Sequence, residues 1–274
     1  EKIVSGSTQI TKSPDRLLIA ELTASFLEKS GLLRDGATMQ AGAGGTSLAI
    51  AVFVHQMLRK KGWKLSFGFG GSTKYMVDML EEGQMGYILD AQAFDLDSVK
   101  SIEKNLNHIP YPVFNAYNYH SKGNLTTMMD IMILGATEID TGFNGNVVTH
   151  SDGLLLHGIG GWQNCLHARN VILPVPLFRD RIPVIVDRVT TLCGPGELID
   201  VIITERGIAI NPRRQDLIEA VRGKGLPLVT IEELKETAER ICGKPEKAAF
   251  DDKVVAAIKW VDGTVIDAVR KVRK

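Results

Sequence analysis

Glycines and side-chain amides follow a short apolar run at residues 154–164, which read LLLHGIGGWQN. An apolar run that ends in glycines predicts a buried strand over residues 154–157 and then a tight turn. Glycine lets the backbone adopt positive φ and approach a ligand closely. Exposed N–H groups in such a turn can stabilise negative charge on an acyl oxygen. We therefore predict Gly158, Gly160 and Gly161 as catalytic residues, the alternative being that they only form a bend.

Two earlier glycine clusters repeat this pattern, GAGG at residues 42–45 and GFGG at residues 68–71. Each follows a predicted strand, and in α/β sheets ligands bind at the carboxyl ends of the strands. We therefore expect all three clusters at one edge of the sheet, with the first two facing the same cleft. The predicted substrate-binding residues are Gly42, Gly44, Gly45, Gly70, Gly71, Ser72, Asn144, Gln163 and Asn164.

Other chemistries fit these residues less well. A dinucleotide fingerprint starting at Gly42 would need glycine in place of Ser47, and no GK[ST] follows the glycines for a mononucleotide loop. Cys165 lies near His157 and His167 and is a conceivable nucleophile, although a small semi-buried side chain is the commoner role. The six histidines have no metal-ligand spacing, so we predict no metal site.

Composition excludes several classes of protein. The 274 residues contain 32 Lys and Arg against 32 Asp and Glu, so no basic field favours nucleic acid or a membrane surface. No apolar run approaches the roughly 20 residues of a membrane-spanning helix, and the first residues do not show a signal-peptide pattern. Three widely spaced cysteines favour a reduced, cytoplasmic protein. Because Glu1 is the first residue, we expect part of a longer protein.

Strands and helices alternate in the first half, which predicts βαβ units around a parallel or mixed sheet. Ser13 with Pro14 predicts one helix start, and Thr46 or Ser47 predicts a second. We expect one α/β domain over residues 1–274, with a β-leaning lead-in at 2–11 and a loop at 108–124. Residues 250–274 are predicted as a terminal hairpin or tail, because Asp262-Gly263 is a strong hairpin signal.

The order of the glycine clusters resembles a known family. GAGG and GFGG are followed by IDTGFNGN at residues 139–146, GIGGWQN at 158–164 and IITERGIA at 202–209. Over about residues 36–210 this succession resembles the carboxyl-terminal half of the coenzyme A transferases. Within that superfamily, FGFGGSTKYMVDMLEEG, EIDTGFNGNVVTHSDG and DGTVIDAVRKV are similar to the citrate lyase alpha chains.

The resemblance implies a three-layer α/β/α fold of the coenzyme A transferase type with a parallel or mixed central sheet. It also implies that residues 1–274 are the carboxyl-terminal half of a two-domain chain whose active site lies between the halves. The implied reaction exchanges acetate for citrate on an acyl-carrier-protein thioester. Citramalate in place of citrate remains an alternative.

The implied partners are citrate, acetate and the lyase beta and gamma (acyl carrier) subunits, assembled as an oligomer. No cofactor is expected to bind this chain itself. The thioester would be carried by the phosphoribosyl-dephospho-coenzyme A arm of the acyl carrier, or by coenzyme A. Citrate carboxylates need cations, and Lys74, Arg179 and Arg181 are candidates, although each is more typical of a surface charge.

The second glycine cluster departs from the superfamily members that form a covalent thioester. Those members have a catalytic glutamate in this turn, and aligning EEG at residues 81–83 with the family places Gly70 at that position. The resemblance therefore implies direct attack by the substrate carboxylate through a mixed anhydride. Positioning two reactants can contribute about 7–11 kcal/mol, and each oxyanion donor about 3–4 kcal/mol, which suffices for an activated thioester.

Two alternative functions remain open at this point. The first is a covalent-type coenzyme A transferase that acts on a small carboxylic acid. The second is a non-catalytic half that serves as an assembly surface of the lyase complex. Asn146, His150 and His157 could also hydrogen-bond a polar substrate, although each is individually more typical of a turn or a surface.

Overall fold

A computed structural model describes residues 9–121 and 124–273. The α-helices are α1 (Pro14–Lys29), α2 (Gly45–Lys61), α3 (Lys74–Glu81), α4 (Leu96–Lys104), α5 (Val113–Tyr117), α6 (Trp162–Cys165), α7 (Gln215–Val221) and α8 (Ile231–Cys242). Single 3-10 turns lie at Thr126–Met128 and Gly196–Leu198. The strands are β1 (Thr38–Gln40), β2 (Leu65–Ser72), β3 (Met85–Ala93), β4 (His108–Pro110), β5 (Ile131–Ile133), β6 (Glu138–Asp140), β7 (Gly145–Asn146), β8 (Val171–Pro174), β9 (Phe178–Arg179), β10 (Ile182–Pro183), β11 (Ile185–Val186), β12 (Val201–Thr204), β13 (Gly207–Ile210), β14 (Phe250–Lys259) and β15 (Val265–Val272).

The central sheet has eight strands in the order β13-β12-β8-β5-β1-β2-β3-β4. Its neighbouring strands are parallel, except that β13 runs antiparallel to β12 at one edge. The predicted α/β class with a mixed, mostly parallel sheet is therefore confirmed. In a sheet of this kind the carboxyl ends of β1 and β2 lie side by side, which sets the position of the candidate site.

Buried side chains alternate between the two faces of the central sheet, as the pleat of a strand requires. In β8, Ile172 packs into the core on one face, whereas Val171 and Leu173 pack into the core on the other. Apolar residues of α1, α2, α3 and α7 complete the first core, and those of α5, α6 and α8 complete the second. The sheet is thus covered on both faces, which is the three-layer arrangement that the resemblance implied.

Smaller sheets extend the second face. Strand β6 pairs with β7 and β11, β9 pairs with β10, and β14 pairs with β15. The hairpin predicted around Asp262-Gly263 is formed by β14 and β15, and Gly263 has the positive φ of 90° that such a turn favours. Ile258 and Val269 bury one side of this hairpin against the second core.

Several predicted elements differ from the structure. Helix α2 begins at Gly45 with Gly44 as its N-cap, so the caps predicted at Thr46 or Ser47 are wrong. The predicted loop at 108–124 contains β4 and α5, because apolar residues in it pack onto the second core. Residues 2–8 of the predicted lead-in, and residues 122–123, lie outside the described part of the chain.

The strand predicted at residues 154–157 is also wrong. This segment is an irregular loop, and Leu154, Leu155 and Leu156 remain 58%, 52% and 39% exposed. The three leucines therefore do not enter a core, and the third glycine cluster follows a surface loop instead of a buried strand. None of the helices in the described ranges combines the length and the apolar content needed to span a bilayer.

Candidate active site

The first two glycine clusters lie beside each other at the carboxyl edge of the sheet. Strand β1 ends at Gln40, two residues before Gly42, the first residue of GAGG, and β2 pairs with β1 in parallel. GFGG is not a separate turn, because its four residues are the last part of β2. Gly70 has a φ of +102° and pairs with Asp90, and the ladder to β3 is irregular between Gly70 and Gly71. Such irregularities redirect a strand near functional sites.

Tyr117, the last residue of α5, connects the second and third glycine clusters. A methyl group added at Gly70 would lie 3.6 Å from the Tyr117 hydroxyl oxygen, and one added at Gly161 would lie 3.0 Å from a ring carbon. The centroids of the Phe69 and Tyr117 rings are 5.4 Å apart. The tyrosine ring therefore fills the space between the end of β2 and the start of α6, and brings both clusters to one place.

The third cluster presents free backbone groups at this place. Gly160 has a φ of +61°, and Gly161 is the N-cap of α6. Within the described ranges, the N–H groups of Gly158, Gly160 and Gly161 donate to no other residue, and no atom lies within 4 Å of a methyl group added at Gly158 or Gly160. Gly158 and Gly160 are exposed, so their unpaired N–H groups are accessible to an acyl oxygen of a ligand. Their catalytic role remains a prediction.

Glycines of the first cluster have mixed surroundings. Gly44 faces open space, whereas Gly42 lies against Ser47 and Gly45 lies against the backbone of Gln9 and Thr11. The carbonyl oxygen of Gly45 also accepts the N–H of Thr11 at 3.2 Å. Gly45 is therefore enclosed by the segment before α1, and Gly44 is the member of this cluster with room for a ligand.

The predicted polar side chains are mostly occupied by the protein itself. The Asn144 amide donates to both carboxylate oxygens of Asp140. The Gln163 amide donates to the carbonyl oxygen of Cys193 at 2.8 Å, and the Asn164 amide donates to that of Tyr117 at 2.5 Å. These bonds hold loops of the second face together, so direct contact of these side chains with substrate remains a prediction.

Ser72 belongs to a buried polar network at the ends of β2, β3 and β4. Its hydroxyl donates to Asp90 at 2.8 Å, and His108 Nε2 lies 3.2 Å from the same carboxylate oxygen. The side chains of His108 and Asp90 are 0% and 2% exposed. Because the serine contacts the carboxylate and not the imidazole, this is not the order of a nucleophilic triad, in which histidine takes the serine proton.

Two functional candidates, Gln40 and Tyr117, were missed in the sequence. Gln40 is 8% exposed, its Oε1 is buried, and its carboxamide makes no hydrogen bond within residues 9–121 and 124–273. The Tyr117 hydroxyl has no hydrogen-bond partner among those residues either. Burial raises the pKa of Tyr117, so its phenol stays protonated and can donate. The aromatic run FNAYNYH and the position of Gln40 before GAGG were the available signals.

The surroundings of Cys165 do not favour a role as a nucleophile. Its side chain is buried, and this burial raises the pKa of the thiol to about 12. A neutral, enclosed thiol is a poor nucleophile, because the thiolate is the reactive form. The structure therefore supports the alternative, in which this cysteine is a small core side chain.

Two of the three predicted citrate-binding cations, Lys74 and Arg179, have other contacts. Lys74 forms an ion pair with Asp78 one helical turn away. Arg179 donates to the carbonyl oxygens of Ala136 and Thr137, at 2.7 and 3.1 Å. Two cavities of about 410 and 470 Å³ lie elsewhere in the molecule, and no residue of the three glycine clusters lines them. The candidate site is therefore identified by its unpaired hydrogen-bonding groups and not by the size of a cavity.

Comparison with known proteins identifies the family of the chain. The family model described as "Citrate lyase, alpha subunit (CitF)" matches residues 1–272. The chain is 42% identical to the citrate lyase alpha chain of Klebsiella pneumoniae, over 100% of this chain and 54% of that protein. It thus spans about half the length of this relative.

Solved structures of other proteins are also matched by the fold of this chain. A Streptococcus mutans crystal structure, named for the alpha subunit of citrate lyase in complex with citrate, matches with a TM-score of 0.95 and 42% identity, covering 98% of this chain and 53% of that chain. RipA from Yersinia pestis shares the fold alone, with a TM-score of 0.61 and 17% identity over 88% of this chain and 56% of its own. The chain belongs to the citrate lyase alpha subunit family.

Proposed function

We propose that the full-length protein exchanges acetate for citrate on the thioester of an acyl carrier protein, without a covalent enzyme intermediate. A citrate carboxylate oxygen attacks the acetyl carbonyl carbon, and the carrier thiolate leaves. The thiolate then attacks the citryl carbonyl of the mixed anhydride, and acetate leaves. Acetyl carrier and citrate thereby become citryl carrier and acetate, with no net change in protons.

The observation that carries this proposal is the backbone of Gly70. Its φ of +102° disfavours any L side chain, and a β-carbon there would approach Gln40 Cγ to 3.2 Å. A glutamate nucleophile at this position would be strained and crowded, and Cys165 is enclosed and protonated. The free N–H groups at Gly158, Gly160 and Gly161 support charge stabilisation as the contribution of this chain.

The partners follow from the family of the chain. The carrier would be the gamma subunit with its phosphoribosyl-dephospho-coenzyme A arm, coenzyme A being the alternative thioester carrier. The beta subunit would cleave the citryl thioester, and the assembly would be an oligomer in the cytoplasm. The remaining half of the chain would complete the active site.

The test is a transfer assay with the full-length protein, acetyl carrier and either citrate or citramalate, with the mass of the carrier as the readout. Citryl carrier should form only with protein, and hydroxylamine or borohydride should trap no acyl group on this polypeptide. A trapped glutamyl adduct would identify a covalent-type transferase instead. Carrier binding without any exchange would identify a non-catalytic assembly half.

A further inference from the structure

We propose that Gln40 and Tyr117 form the subsite that recognises the hydroxyl and the neighbouring carboxylate of the incoming acid. This inference rests on the proposed function and names residues for its substrate specificity. Both side chains lie next to Gly70: a β-carbon there would be 3.7 Å from Gln40 Nε2 and 3.6 Å from Tyr117 Oη. One donor from each side chain therefore faces the same point, at the end of β2.

The hydrogen-bonding capacity of this pair is unused by the protein. In the described part of the chain, neither the Gln40 carboxamide nor the Tyr117 hydroxyl has a hydrogen-bond partner. Leaving a buried acceptor such as Gln40 Oε1 unpaired is costly, so a native structure normally gives it a partner. The other amides near the site, those of Gln163 and Asn164, are paired with carbonyl groups. A bound ligand can supply the partner that Gln40 lacks.

The hydrogen-bond donors and acceptors of Gln40 and Tyr117 define which ligand groups can pair with them. The protonated Tyr117 hydroxyl and the Gln40 nitrogen donate, and the Gln40 oxygen accepts. Rotation about the terminal bond exchanges the two amide atoms, so the oxygen can take the position beside Gly70 that Nε2 holds. Citrate that is ionised at neutral pH has a single donor, its hydroxyl, beside carboxylate acceptors. A hydroxyl adjacent to a carboxylate therefore pairs with both side chains: the hydroxyl donates to the Gln40 oxygen in this orientation, and the carboxylate accepts from the Tyr117 hydroxyl.

Position relative to the reacting groups fits this assignment. Tyr117 lies against Gly161, and the unpaired N–H groups of Gly158 and Gly160 precede Gly161 in the same loop. An acid bound by Gln40 and Tyr117 would therefore lie beside the groups assigned to the thioester oxygen. It would also approach the place where covalent relatives carry their glutamate, so the substrate carboxylate would replace that nucleophile.

The experiment compares citrate with tricarballylate, which has the same three carboxylates and no hydroxyl, by calorimetric titration of the full-length protein. The wild type should bind citrate at least about tenfold more tightly. Gln40→Met removes the acceptor at similar volume and should reduce this preference to below about twofold, by weakening citrate alone. Tyr117→Phe should weaken both acids by about tenfold and leave the preference unchanged.

Matched controls come from exposed residues of the same types. Gln56→Met on α2 and Tyr87→Phe on β3 should retain the wild-type affinities for both acids. If Gln40→Met does not fold, Gln40→Glu keeps the side-chain shape and adds a charge that repels carboxylates. That variant should lose at least tenfold in affinity for citrate at neutral pH.

An unchanged preference in Gln40→Met, wild-type affinity of Gln40→Glu for citrate, or wild-type affinity of Tyr117→Phe for both acids would overturn the subsite. These failures are distinguishable from failure of the proposed function. If the wild type exchanges citrate and the variants keep the wild-type preference, only the assignment of Gln40 and Tyr117 is wrong. If the wild type transfers the acyl group to no acid, the function itself is wrong.

Discussion

The side-chain amide of Asn164 donates a 2.5 Å hydrogen bond to the carbonyl oxygen of Tyr117. This bond joins α6, which follows the third glycine cluster, to the last residue of α5. Tyr117 also lies against Gly161 and beside Gly70, so its ring position depends on the same junction. One contact between residues 47 positions apart therefore holds together the parts of the candidate site.

Asn164→Ala should remove this junction. We expect a loss of about 1 kcal/mol in the free energy of unfolding, the usual net value of one hydrogen bond, and a roughly tenfold fall in kcat/KM for transfer. Thermal unfolding and the transfer assay measure the two effects. Asn115→Ala, at an exposed position of α5, is the control and should change neither quantity. Wild-type transfer by Asn164→Ala would contradict a positioning role.

Gly70→Ala should disturb the site more than the fold. Its left-handed backbone adds about 1–3 kcal/mol of strain for any side chain, and the new methyl group would press on Gln40. Gly83→Ala is the control, because Gly83 has a φ of +84° and faces open space. We expect a similar loss of thermal stability in both variants and a large loss of transfer only in the first. Gly70→Glu should form no glutamyl adduct.

Gly160→Val should abolish transfer while the protein remains folded. The φ of +61° at Gly160 makes valine unfavourable by about 1–2 kcal/mol, and the branched side chain would cover the free N–H groups. Gly225→Val has a matched backbone, with a φ of +66° and open surroundings. It should lose comparable stability and keep its activity. Full transfer by Gly160→Val would exclude the third cluster from the mechanism.

Tyr117 should keep its proton above the ordinary tyrosine pKa of about 10, because its burial disfavours the phenolate. A raised folded-state pKa stabilises the fold at lower pH, and this stabilisation is lost as the pH rises above about 10 towards that pKa. The wild type should therefore lose more stability than Tyr117→Phe between pH 10 and 11. Absorbance at 295 nm should show no difference in phenolate content between the two proteins over this range. An additional phenolate in the wild type at pH 10 would contradict this burial.

The sequence alone determined the class of the fold. Alternating strands and helices led to a parallel sheet because short apolar runs can be buried only when helices cover both faces. The helix start at Pro14, the hairpin at Asp262-Gly263 and the order of the glycine clusters were also local properties. Each depends on residues close together in the chain, and the order of the clusters carried the resemblance to the family.

Tertiary structure decided which residues form the candidate site. Leu154, Leu155 and Leu156 form an apolar run, yet their side chains remain exposed. An apolar run in the sequence does not show whether other elements pack against it. Asn144 and Gln163 were predicted to bind substrate, yet their amides donate to Asp140 and to the carbonyl oxygen of Cys193. The partner of Gln163 lies 30 residues away in sequence, so only the fold shows that its amide is occupied.

The fold also brings together residues that the sequence does not connect, namely Gln40, Gly70, Tyr117 and Gly161. They come from four separate elements, and only the packing of α5 between β2 and α6 brings them together. The local sequence predicted the two glycines as site residues but did not indicate Gln40 or Tyr117. Whether a buried polar group lacks a hydrogen-bond partner depends on residues that only the fold brings near it. The glycine backbone of the candidate site could therefore be predicted from the sequence, whereas its polar side chains could be identified only in the folded structure.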